Sequence, residues 1–172
     1  MAKTRSFSLL KSFLGALRTQ IVTYSGIWTD STCQLSLWDE EPTQYPQGTP
    51  LLFIIPQEFR SLQPYSDGGG IQTTVISGLI KCRIIVLNSL DPVQSDNNVI
   101  TSTDEALGIY ELCDNLIADL QILDLCFDTG SYLIEPLRLV NISKPTRDKD
   151  RPEWTYVDVN FEASINQMLT GV

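Results

Sequence analysis

The sequence predicts an α+β fold: one domain, with a mainly antiparallel or mixed β-sheet and two helices packed on one face. Three observations lead there. Two segments place apolar residues at helical spacing, one near the N-terminus and one in the middle of the chain. Several other segments alternate apolar and polar residues, or run continuously apolar between turn residues, as strands do. The strands do not alternate with helices one for one, so a parallel, doubly wound sheet is a poor fit. At 172 residues the chain is long enough for one substantial core, and no repeat or composition break divides residues 1–172.

The first helix is expected over residues 5–22. Phe7, Leu10, Phe13, Leu14, Leu17 and Ile21 share one face, Lys11, Arg18 and Gln20 lie elsewhere, and Ser6 is positioned as a cap. Every charge before Asp30 is positive (Lys3, Arg5, Lys11 and Arg18), so the acidity belongs to the rest of the chain. Such a helix either meets an acidic surface of a partner or neighbouring subunit, or simply presents a solvated face. Lys11 and Arg18 interrupt the apolar run and no small-residue cleavage site comes after it, which reads as a mature helix rather than a targeting segment.

Cys33–Leu37 alternates and is expected to be a short strand, followed by the acidic turn Asp39-Glu40-Glu41-Pro42. Leu51–Ile55 is a continuous apolar run closed by Pro56, as in a central strand buried on both faces. Glu58–Thr74 reads as a loop with Tyr65, Asp67 and the glycines Gly68, Gly69 and Gly70. It lacks the Gly-Lys-Ser/Thr of a P-loop, and the dinucleotide fingerprint is also missing.

The central pair of elements is a long strand, Ile76–Leu90, and a helix, Thr103–Gln121. In the strand, Ile80, Cys82, Ile84 and Val86 form a side fit for burial, while Lys81 and Arg83 lie on the other side, which turns apolar towards Ile85 and Leu87. The linker between them carries Asp91-Pro92 and Asp96-Asn97-Asn98, which are turn residues. Ser102 and Glu105 can form a capping box, and Asp104 and Glu105 suit the positive end of the helix dipole. Ala106, Ile109, Cys113, Leu116, Ile117 and Leu120 make the stripe that the sheet must cover.

The last part is expected to be an antiparallel hairpin. Tyr132–Ile142 is extended, with Tyr132, Ile134, Val140 and Ile142 on one side, and Pro136 marks an edge or a bulge. Lys144–Pro152 is a charged tip of mixed sign. In Trp154–Ile165, Thr155, Val157, Val159, Phe161, Ala163 and Ile165 face the core; Trp154, Tyr156, Asp158, Asn160, Glu162 and Ser164 face away. Trp154 and Tyr156 are then exposed aromatics on a polar face, the kind of feature that marks a contact surface.

Composition excludes much chemistry. The chain has no histidine, which removes His-dependent triads, His general bases and His metal ligands together. Its four cysteines, Cys33, Cys82, Cys113 and Cys126, show no C-x-x-C spacing and read as small apolar core residues in a reduced compartment. Asp158 and Glu162 share a strand face, but four residues put them roughly 13 Å apart along the backbone at about 3.3 Å per residue, too far for a retaining carboxylate pair. Asp114 and Asp119 belong to the outer side of the second helix. Asp39-Glu40-Glu41 lacks calcium-loop spacing. No catalytic site, metal site or cofactor is expected. The formal charge is −9, which disfavours duplex binding by phosphate neutralisation but suits a surface that DNA slides past. No run is long enough to span a bilayer, and the protein is expected in the cytosol of the cell that makes it.

Taken with Leu14-Gly15-Ala16-Leu17, Gly78-Leu79-Ile80-Lys81-Cys82-Arg83-Ile84-Ile85-Val86, Ala106-Leu107-Gly108-Ile109-Tyr110 and Pro152-Glu153-Trp154-Thr155-Tyr156-Val157-Asp158-Val159-Asn160-Phe161, this order of elements resembles the tail terminator (tail completion) proteins of long-tailed bacteriophages. The resemblance spans nearly the whole chain as a pattern of elements, without a diagnostic motif. It implies a virion protein made in the host cytoplasm: a hexameric ring of identical subunits that caps the tail tube and joins it to the head–tail connector, with genome DNA passing through and no catalytic residues. Tyr65, Asp67, Arg147, Arg151, Trp154 and Tyr156 are then the candidates for subunit or partner contacts, and Asp39, Glu40, Glu41, Asp158 and Glu162 the candidates for an acidic lumen. The runner-up is another neck subunit, a connector or adaptor. A small hydrolase using Asp158 and Glu162, or a ligand-binding domain, is the reading from a different class, and a size measurement separates these from a ring subunit.

Overall fold

The computed structural model of the protein describes residues 6–36, 50–61, 65–66, 72–87, 108–121, 126–128, 131–133 and 135–169. Their elements are α1 (Ser6–Tyr24), β1 (Cys33–Leu35), β2 (Leu51–Ser61), β3 (Tyr65–Ser66), β4 (Gln72–Leu87), α2 (Ile109–Gln121), β5 (Cys126–Asp128), β6 (Ser131–Leu133), β7 (Arg138–Ile142), β8 (Thr146–Arg147) and β9 (Trp154–Leu169). The sheet runs β1-β2-β4-β9-β6-β5, with β3 beside β4 and with β7 and β8 beside β9. Only β1–β2 is parallel; every other pairing among the described residues is antiparallel. This is the α+β architecture the sequence predicts.

Its spine is the β4–β9 pair, continuous from Gln72 opposite Leu169 to Leu87 opposite Trp154. Both strands alternate. Ile76, Ile80, Cys82, Ile84 and Val86 of β4 and Thr155, Val157, Val159, Phe161, Ala163 and Ile165 of β9 are all buried. They meet Phe13, Leu14, Leu17 and Ile21 of α1 and Ile109, Leu112, Cys113, Leu116 and Leu120 of α2 in one core. Both helices therefore lie on the same face. Burying each of the large side chains is worth about 1.5–3 kcal/mol, which is why the period-2 and period-3.6 stripes find each other. The expected cap and first turn of the second helix, Ser102 to Ala106, lie outside the described residues.

Helix α1 ends in a turn built from its own sequence. The Ser25 N–H donates to the Ile21 carbonyl, Gly26 adopts φ +67°, and the Ser25 hydroxyl accepts from the Ile27 and Trp28 N–H groups. Arg18 then clips the helix to the start of the sheet. Its Nε donates to the Cys33 carbonyl at 2.8 Å, and its Nη2 donates to the Asp30 carbonyl and pairs with the Asp30 carboxylate. One of the basic residues expected on the surface of α1 is thus spent inside the subunit, and with it the outward carbonyl of β1.

Three expectations need correction. The segment read as a loop over Glu58–Thr74 is largely strand: β2 continues past Pro56 to Ser61, β3 comes next, and β4 begins at Gln72. Pro56 removes a ladder donor without ending the strand, because a register shift between Pro56 and Phe59 absorbs it. At this bulge Gly78 lies so close to β2 that a Cβ there would sit 2.6 Å from the Glu58 carbonyl oxygen and 2.5 Å from the Phe59 ring. Second, the expected tip Lys144–Pro152 contains β8, which pairs Thr146 with Tyr156 and Arg147 with Thr155. Third, Tyr132–Ile142 is not one strand. It breaks at Pro136 into β6 and β7, and a second register shift, between Leu139 and Asn141, changes the facing of the residues beyond it. Leu137 is buried and Leu139 packs against the core, while Val140 and Ile142 are exposed.

Candidate functional site

The face of the sheet opposite the helices is built in cross-strand rows. Leu51, Ile85 and Tyr156 form one, Phe53, Arg83 and Asp158 the next, and Ile55, Lys81 and Asn160 the third. Leu51, Phe53, Ile55 and Ile85 form a second buried cluster, and Trp154 and Tyr156 pack against it partly buried. The two aromatics expected to stand exposed therefore serve in part as cover for this second cluster, because β2 supplies an apolar row directly beside them.

Within this face Arg83 grips Asp158 with two parallel bonds, Nε to Oδ1 at 2.7 Å and Nη2 to Oδ2 at 3.0 Å. The side chains are only 13% and 15% exposed. The guanidinium also lies over the Tyr156 ring, 4.6 Å from its centroid. Further along β9, Glu162 receives both Nε and Nη2 of Arg138 from β7. This exposed pair, not burial, raises the Arg138 pKa: the hydrogen bond and the charge of Glu162 stabilise the cation. Between the two pairs Asn160 donates to the Asn141 side chain at 2.7 Å. Asp158 and Glu162 are thus each paired with a different arginine. As lumen candidates they bring charge that is already compensated.

The hairpin tip is organised by Asp148, which is buried and whose Oδ1 accepts from the N–H groups of Asp150 and Arg151 at 2.7 and 2.9 Å. The Asp148 N–H donates to the Trp154 carbonyl, and the Trp154 N–H donates to the Arg151 carbonyl. This side-chain turn holds Arg147, exposed, and Arg151, half-buried, at the end of the sheet edge beside Trp154 and Tyr156. Four of the six contact candidates thus lie near one end of β9, with Arg147 in register with the buried Thr155 and not with the two aromatics. Tyr65 is far along β4, opposite Thr73. Asp67, Asp39, Glu40 and Glu41 lie outside the described residues.

The thiols of Cys33, Cys82 and Cys113 are buried and unbridged. Burial pushes Cys33 and Cys113 up to about 12 and Cys82 higher still, with Arg18 pulling Cys33 weakly the other way. Among the described residues no three His, Cys, Asp or Glu side chains converge as a metal site would require. No helix among them is long and apolar enough to cross a membrane.

Sequence reasoning missed Val140 and Ile142 as surface residues. The signal present was Pro136 and the Asn141 that comes after Val140, but the bulge at Val140, which sets Ile142 opposite Val159, depends on how β9 pairs. The chain matches no protein-family model and no curated protein.

Proposed function

We propose that this protein is a structural subunit of a long-tailed bacteriophage: a tail terminator that assembles as a six-membered ring, caps the tail tube and joins it to the head connector. The observation that carries the reading is the architecture. A helix, short strands, a long strand, a second helix and a closing hairpin make one sheet with both helices on one face, the element order on which the resemblance rests. The arginine-bound state of Asp158 and Glu162 supports a structural role over the hydrolase reading. Charge fits the same role. Six chains at −9 carry a formal charge of about −54, and DNA carries one negative charge per roughly 1.7 Å of duplex, so a net-negative ring lets the genome pass without holding it.

The experiment is imaging of intact particles combined with a duplex-binding assay. The expected result is one six-fold ring of this protein at the head-proximal end of the tail, and no retention of duplex DNA at physiological salt. A place elsewhere in the neck would assign it to a connector or adaptor. A position at the distal baseplate, or duplex binding near nanomolar, would overturn the reading.

A further inference from the structure

We draw no further inference here: the strongest candidate, the β7–β8 edge of the sheet where Val140 and Ile142 are exposed, carries nothing because no feature of the structure shows what covers it.

Discussion

Arg83 and Asp158 show how one pair of residues can be written in the sequence yet mean something only in the fold. They are 75 positions apart and directly opposite in the β4–β9 register, with both side chains mostly out of water. Removing two charges from water costs several kcal/mol, and the two-pronged geometry with the Tyr156 ring works against that cost. Asp158→Asn would leave the guanidinium largely buried opposite a neutral amide, and a loss of about 2–4 kcal/mol in urea unfolding is expected. The pair is not irreplaceable: Arg83→Leu/Asp158→Leu should lose less than either single substitution, because an apolar pair fits the row between Phe53 and the Tyr156 ring. A single-variant loss under about 0.5 kcal/mol would mean the pair is solvated as a surface ion pair is.

Among the elements, β9 is the one every part of the sheet leans on. It pairs with β4 along its whole length and with β6, β7 and β8 on its other side. Its inner row faces both helices, and Phe161 at its middle is fully buried opposite Ile80 and Leu139. Phe161→Ala is expected to cost about 3–5 kcal/mol, from lost transfer energy and from a cavity that neighbours on two strands cannot close. Calorimetry that finds under about 1 kcal/mol would place the strand's inner row at the surface. The alternation of Trp154–Ile165 is the clearest pattern in the chain, and the structure matches it residue by residue. The strand's continuation to Leu169, and those of β2 to Ser61 and of β4 from Gln72, were not legible, because these stretches are mostly polar without a strict alternation and become strand by pairing across the sheet.

At the scale of the whole molecule, stability should depend on alkali through the buried thiols. Cys33 and Cys113 are pushed up to about 12, and Cys82 further, so the folded protein keeps protons that the unfolded chain releases near pH 9. Their contribution is therefore fully present below about pH 9 and is lost as pH rises from there towards 12. Urea midpoints are expected to fall between pH 9 and 11, and Cys82→Ala should flatten that slope by removing the most deeply buried of the three. At pH 8 a thiol reagent should label these three residues only as fast as the protein unfolds, read residue by residue by mass spectrometry. Prompt labelling of Cys82 in the folded protein would contradict its burial.

The fold class, the two inner stripes of the helices, the buried run Leu51–Ile55 and both faces of β9 are legible in the order of residues alone. These come from periodicity, which is a local property: apolar residues at a fixed spacing must be covered wherever the chain goes. The want of histidine chemistry was equally plain from the residues present. Which strands are neighbours, and with that the rest, emerges only once the chain is folded. The Arg83–Asp158 and Arg138–Glu162 pairs, the second cluster that half-buries Trp154 and Tyr156, and the bulge that sets Ile142 opposite Val159 all depend on register. Register is a relation between distant segments, and a one-residue slip or a bulge reverses which face a side chain occupies, so no pattern within a single strand contains it.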